Sequence, residues 1–113
     1  MIHTHFFRDK ATDTLEMEMQ GHAETAPKGQ DLVCAAATML AYTLAQSVQF
    51  LYEQGQFLEK PSIQLMDGYA RIVAQPKPEA LAETLMAYWV TQAGAFVLER
   101  NYPGALSLMT MEV

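Results

Sequence analysis

The sequence predicts an α+β fold in which a mixed or antiparallel sheet is packed by two amphipathic helices, in the order ββαββαβ. Three observations predict it: segments that alternate apolar and polar residues, two long segments with apolar residues at three- and four-residue steps, and a tight-turn pair between two strand-like runs. The chain has 113 residues, half of them hydrophobic, which suits a single domain over residues 1–113. A sheet covered by two helices buries these apolar faces.

The first predicted hairpin begins at the start of the chain. Residues 2–7 are rich in aromatic and β-favouring side chains, and the polar residues 8–13 are typical of a turn. Leu15, Met17 and Met19 then alternate with polar residues, which indicates a half-buried strand.

A loop and a long helix are expected next. Residues 21–30 contain two glycines and a proline and have neither helical nor strand periodicity. Asp31 stands directly before a segment rich in helix formers, so it is the expected N-cap of a helix that ends near Gly55. The apolar positions of this helix are Cys34, Ala37, Leu40, Ala41, Leu44, Ala45, Val48, Leu51 and Tyr52.

The second half of the chain repeats the hairpin-helix pattern and adds a last strand. Asp67 and Gly68 lie between two apolar runs within residues 63–73, a strong signal of a tight hairpin turn. Residues 81–100 have the apolar spacing of a second amphipathic helix, and residues 105–111 form the final strand. Because the apolar stripes are wider than a small sheet requires, they also leave room for a homodimer interface.

Composition excludes several classes of partner and location. Seven basic and thirteen acidic residues give a net charge of −6, which argues against direct nucleic-acid binding and favours a basic peptide or protein. The single cysteine cannot form an intrachain disulfide, and the first residues lack the features of a secretory signal, so a reducing cytoplasm is expected. Charged or amide residues interrupt every apolar run, so we expect no membrane span.

The residues with the clearest chemical potential lie at the start of the first helix. Cys34 falls in its first turn, where backbone N–H groups and the positive end of the helix dipole stabilise a thiolate. His22 ends the preceding strand on the other side of the loop, from where its imidazole could take the thiol proton and later protonate a leaving amine. The amide of Cys34 is the first candidate for an oxyanion donor.

The alternative reading of these residues needs no chemistry. A buried free cysteine commonly packs as a small apolar side chain, and Asp31 is fully explained as a helix cap. Two other functions therefore stay open: a peptide-binding module without catalysis, which the family resemblance given next would make ribosome-associated, and a thiol redox sensor based on Cys34.

The stretch from Gly21 to Ala36 resembles the signature of a known family. It contains Gly21-His22-Ala23, Gly29, Asp31 and Val33-Cys34-Ala35-Ala36, and in spacing and residue type it is similar to the bacterial ribosomal-processing cysteine proteases, usually called Prp. The resemblance extends over essentially the whole chain. It implies a homodimeric protease that removes a short N-terminal extension from ribosomal protein twenty-seven of the large subunit.

The resemblance also assigns roles to individual residues. His22 and Cys34 match the catalytic dyad, Asp31 matches an acidic position beside it, and Gly21 and Gly29 match the glycines that bound a mobile loop. Thr38 is a departure, because the family more often has serine there. Two further residues are candidates for contact with substrate: Ala35, whose small side chain lets a peptide backbone approach, and Lys28 in the loop.

Other distinctive side chains receive structural interpretations. His3 and His5 share a strand face, but no further ligand completes a recognisable metal pattern, so we expect solvent-facing histidines and no cofactor. The aromatic residues Tyr88, Trp89 and Phe96 are spaced for core or dimer packing.

Overall fold

The computed structural model describes residues 1–24, 26–27 and 31–113, and it confirms the α+β class and the predicted order of elements. The strands and helices are β1 Ile2–Asp9, β2 Thr14–Gln20, α1 Leu32–Glu53, β3 Ser62–Met66, β4 Tyr69–Ala74, α2 Leu81–Asn101 and β5 Leu106–Glu112. A short 3-10 turn at Pro78–Ala80, which the sequence did not predict, leads into α2.

The five strands form one mixed sheet in the order β3-β4-β2-β1-β5. Three neighbouring pairs are antiparallel, whereas β5 runs parallel to β1 at the opposite edge from β3. The parallel pairing is possible because α2 provides the crossover that returns the chain to the same end of the sheet.

Both helices cover the same face of the sheet. Strand residues that point to this face alternate with the others and join the residues of α1 and α2 in one apolar cluster. The largest side chains that are almost completely enclosed include Met17, Leu44, Ile72 and Leu106. The opposite face carries His3 and His5, in agreement with the prediction that the two share a face, and the His3 ring nitrogen Nδ1 lies 3.1 Å from Ser107 Oγ.

α1 differs from the sequence expectation in one respect. It has 22 residues, and a window of 18 of them has a mean hydropathy of 1.3, so it is long and apolar enough to cross a membrane by length and composition. Core helices of soluble proteins meet the same criterion, and α1 packs here against α2 and strands β3 and β4.

The aromatic residues of α2 divide into two groups. Tyr88 belongs to the core, where its hydroxyl donates to the carbonyl oxygen of Ile72 at 3.0 Å. Burial raises the pKa of Tyr88 far above its usual value, so this donor keeps its proton. Trp89 and Phe96 are 54% and 50% exposed, so the prediction of core packing is wrong for these two residues. Dimer packing stays a prediction for them.

Candidate active site

The start of α1 is fixed by Asp31. Its Oδ1 atom accepts hydrogen bonds from the amides of Val33 and Cys34, both at 3.0 Å, which confirms the predicted N-cap. Its Oδ2 atom accepts from the amide of Ala26 at 3.3 Å. One buried carboxylate therefore holds the helix start and part of the preceding loop together.

The capping bonds permit a direct test of what Asp31 contributes to stability. Replacing Asp31 by alanine removes the acceptor for these amides, so we expect Asp31→Ala to lower the free energy of unfolding by about 1 kcal/mol. Thermal unfolding followed by circular dichroism should show a midpoint about 4 °C lower. Asp31→Asn keeps one oxygen acceptor and should lose less, and an unchanged midpoint for Asp31→Ala would contradict this role.

Cys34 lies on the first turn of α1 and is partly buried. Its Sγ atom accepts a hydrogen bond from the amide of Ala23 at 3.2 Å, and its carbonyl oxygen accepts from Thr38 Oγ1 at 2.7 Å. Ala23 directly follows His22, so a backbone donor from the histidine segment already points at the sulfur. Such a donor stabilises negative charge on a thiolate.

The imidazole of His22 is exposed and rests on the β3–β4 turn. A Cβ atom on Gly68 would lie 2.7 Å from His22 Nε2 and 3.2 Å from Cε1, so the ring occupies space that only a glycine leaves free. The amide of Gly21 donates to the carbonyl oxygen of Gly68 at 2.9 Å. The turn thus contacts the histidine itself and the residue before it.

The backbone at position 21 also requires glycine. Its φ of +107° lies in the region that side chains rarely adopt, and a Cβ there would collide with the carbonyl oxygen of Met1. The backbone can therefore leave β2 and turn towards α1 directly before His22.

His22 and Cys34 line the same two adjoining cavities. One cavity of about 390 Å³ also includes Gly21, Thr38 and the turn residue Asp67. The other, of about 460 Å³, includes Asp31, Ala35 and Thr38. The cysteine sulfur accepts a hydrogen bond from the Ala23 amide, and among the described residues no hydrogen bond joins the His22 and Cys34 side chains. The arrangement brings a thiol and an imidazole to one cleft that is open to solvent.

One detail of the expected chemistry is wrong. The amide of Cys34 was the first candidate for an oxyanion donor, but it donates to Asp31 Oδ1 at 3.0 Å. A developing oxyanion at that amide would compete with a carboxylate that already accepts the hydrogen bond, and the two negative groups would repel each other. The same capping means that the first amides of α1 are not free to stabilise the thiolate.

Sequence reasoning found some neighbours of the site and missed others. Gly21, Asp31, Ala35 and Thr38 lie around the cleft as described above, whereas Lys28 and Gly29 fall outside the described residues. The missed groups are the Ala23 amide, the Asp67–Gly68 turn and Tyr42 on α1. The Asp-Gly pair was recognised only as a turn, and nothing in the sequence reports its contact with a histidine far away in the chain.

Metal-dependent chemistry has no candidate ligand set in the part of the chain that the structure describes. Within residues 1–24, 26–27 and 31–113, no group of three or more His, Cys, Asp or Glu side chains could hold a metal ion.

Comparisons with known proteins give the family and the fold of the chain. The family model described as cysteine protease Prp matches residues 1–105. No curated protein sequence matches the chain.

Solved structures share the fold. An essential ribosomal processing protease Prp from S. aureus, in complex with a covalently linked product peptide, has a TM-score of 0.72 and 23% identity, covering 98% of this chain and 100% of that chain. SMU.848 from Streptococcus mutans has a TM-score of 0.71 and 22% identity, covering 100% of this chain and 96% of that chain.

At these identities the structural likeness establishes the fold, whereas the family model, which spans nearly the whole chain, establishes the family. The chain belongs to the Prp family of cysteine proteases.

Proposed function

We propose that this protease uses Cys34 as its nucleophile and His22 as its acid and base, and that it removes the N-terminal extension of ribosomal protein twenty-seven of the large subunit. The observation that supports the assignment of residues is that both line the same two open cavities, where the Ala23 amide donates a hydrogen bond to the cysteine sulfur.

The proposed reaction proceeds through a thioester. His22 takes the proton of Cys34, and the thiolate sulfur attacks the scissile carbonyl carbon. The C–N bond breaks as the imidazolium protonates the leaving amine, which leaves the acyl group on sulfur. His22 then takes a proton from water, which attacks the thioester, and the proton returns to the departing sulfur. The products are a carboxylic acid, an amine and the free enzyme.

Two observations support a ribosomal substrate. The S. aureus relative is described as a ribosomal processing protease and has also been solved with a substrate peptide, at 20% identity and a TM-score of 0.65. This chain has a net charge of −6, and the exposed residues Glu24 and Asp67 line the larger cavity beside the dyad. Carboxylates at that position complement a basic peptide, the class of partner that the acidic net charge favours. A cytoplasmic location follows for an enzyme that meets this substrate.

The substrate assignment can be tested by mass spectrometry of the organism's own ribosomal protein twenty-seven. We expect the purified wild-type chain to shorten it near the N-terminus and Cys34→Ala to leave it intact. If neither protein cut it, while other peptides were still cut by the wild type alone, the substrate would be wrong and Cys34 would stand as the nucleophile. Equal cutting by both proteins would contradict the dyad.

We further propose that two copies associate through the outward faces of α1 and α2, which we call the outer helical face. It consists of two stripes on the side of the helices away from the sheet: Met39, Thr43, Gln46 and Phe50 on α1, and Met86, Val90, Ala93 and Val97 on α2. Phe50 is 56% exposed and Val90 is 63% exposed. Six of these eight side chains are apolar, and an exposed face of this composition is typical of a surface that another protein surface covers.

Light scattering tests this dimer. The wild-type chain should have the mass of two copies, and Val90→Asp should have the mass of one, because a charge would be buried at the centre of the interface. Met109→Asp is a matched control, since Met109 is 59% exposed on the opposite side of the sheet. A monomeric wild type, or loss of the dimer in Met109→Asp alone, would reject this interface.

The contact between Gly68 and His22 leads to a prediction about catalysis. Gly68→Ala would place a methyl group where the imidazole ring now lies, so His22 must move. We expect kcat to fall about a hundredfold, the usual cost of displacing a catalytic group by about an ångström, with little change in KM.

Gly55→Ala is the matched control for that experiment. Gly55 has a φ of +74°, close to the +70° of Gly68, but a Cβ at Gly55 would meet no heavy atom within 4 Å. Both variants therefore carry a similar backbone penalty, and only one displaces the imidazole. Equal activity of the two variants would show that Gly68 does not position His22.

A further inference from the structure

The strand β3 has a free edge. It is the terminal strand of the sheet, and β4 is its only strand partner in the part of the chain that the structure describes. The Asp67–Gly68 turn has two residues, so Met66 and Tyr69 form the hydrogen-bonded pair that closes the hairpin. The alternation of an antiparallel ladder then directs the N–H and C=O groups of Ile63 and Leu65 away from β4. Among the described residues, neither residue has a backbone hydrogen bond outside the sheet.

This edge leads into the catalytic cleft. Leu65 and Met66, at the end of β3, line the cavity of about 390 Å³ together with His22 and Cys34. Ala37, Ala41 and Tyr42 on the facing side of α1 complete the wall. The small alanine side chains leave a groove between the helix and the strand edge, and its volume is within the range of pockets that bind ligands.

We propose that the substrate binds as an added β-strand on the free edge of β3, with its scissile bond beside Cys34 at the Met66 end. The proposal rests on the proposed proteolytic function. The backbone groups of Ile63 and Leu65 supply hydrogen bonds that any peptide sequence can satisfy, and they fix the peptide in an extended conformation. Continuity with the cleft supports this occupant, because within residues 1–24, 26–27 and 31–113 no strand pairs with the outer edge of β3 where it reaches the cavity.

Strand addition makes a specific demand on the substrate. Successive side chains of an added strand alternate between the two faces of the sheet. One set would point into the groove towards Leu65 and Tyr42, whereas the other set would pass over Met66 towards the open face of the sheet. The backbone N–H groups of the peptide alternate in the same way between the β3 edge and solvent.

The test is an N-methyl scan of the peptide segment that the wild-type enzyme cuts in ribosomal protein twenty-seven. A set of synthetic peptides carries one N-methyl group each, at successive positions on both sides of the scissile bond. On one side we expect kcat/KM to fall about tenfold or more at every second position, because each such group loses a hydrogen bond to the edge and inserts a methyl group there. N-methylation at the intervening positions should change kcat/KM by less than about twofold.

A pair of enzyme variants tests the same hydrogen bonds by changing β3 instead of the peptide. Leu65→Pro removes an N–H that does not bond to β4, and an edge strand tolerates proline at such a position. Leu65→Ala is the control, because it shortens the same side chain and keeps the N–H. Leu65→Pro should lower kcat/KM further than Leu65→Ala does, by about tenfold. Circular dichroism establishes whether each variant is folded, and the N-methyl scan uses the wild-type enzyme and does not depend on either.

The outcomes separate the two proposals. If the unmodified peptide is not cut, the proposed function fails, and strand addition fails with it. If the unmodified peptide is cut, but N-methylation lowers kcat/KM equally at neighbouring positions on each side of the scissile bond, only strand addition is overturned. A loss of kcat/KM at every second position on one side of the scissile bond supports strand addition.

Discussion

Cys34→Ala is expected to abolish peptide-bond cleavage while the chain remains folded. The thiol is the only group at the cleft that can form the proposed thioester, so we expect the rate to fall on the order of 10⁴-fold or more. The substitution removes one sulfur atom from a partly buried site and leaves the Asp31 cap intact, so its effect on folding should be small. Cleavage of the peptide bond is measured by mass spectrometry and the fold by circular dichroism.

Cys34→Ser provides the closest structural control for this prediction. A serine hydroxyl can accept the hydrogen bond that the Ala23 amide now donates to sulfur. It holds its proton far more tightly than a thiol does, and it is a weaker nucleophile. The serine variant should therefore unfold at the wild-type temperature and still lack cleavage. Activity close to wild type in either variant would remove Cys34 from the mechanism.

His22→Gln is expected to lower kcat by about 10²- to 10⁴-fold, the usual contribution of a general acid and base. Glutamine has a similar size and can still form hydrogen bonds, but it cannot carry a proton from the thiol to the leaving amine. Because His22 is exposed, its replacement should have little effect on the free energy of unfolding. Steady-state cleavage of the peptide substrate measures the loss.

His3→Gln is the matched control for the histidine. His3 is also exposed, but it lies on the face of the sheet that the helices leave uncovered, beside Ser107. The same chemical change there should leave the rate unchanged. Equal losses in the two variants would indicate a general effect of removing a histidine and would contradict the acid-base role of His22.

Much of the fold could be predicted because its signals are local. The alternation of Leu15, Met17 and Met19 marked β2, and the Asp67–Gly68 pair marked the second hairpin. Asp31 was identified as the cap of α1 because a capping side chain acts on amides two and three residues away.

The pairing of distant elements could not be predicted in the same way. The parallel pairing of β5 with β1 joins the two ends of the chain, and no local pattern records which edge of the sheet a last strand selects. The apolar composition of α1 was also ambiguous, because a core helix and a membrane span can share the same length and hydropathy.

The candidate site shows the same division. Cys34 and His22 could be named from residue types, helix position and a family resemblance, but their surroundings depend on tertiary contacts. The ring of His22 rests on Gly68, and the amide of Cys34 is occupied by Asp31, so one support was missed and one expected oxyanion donor was wrong. The mobility of the loop over residues 21–30, which the family resemblance implies, stays a prediction.

The central claim, that the Cys34 thiol is the nucleophile of a protease, is tested most directly by titrating the purified enzyme with iodoacetamide. Cys34 is the only cysteine in the chain, so the intact mass reports the alkylated fraction of this one thiol. We expect cleavage activity to fall in proportion to that fraction and to vanish when alkylation is complete. Full activity in completely alkylated protein would contradict the claim.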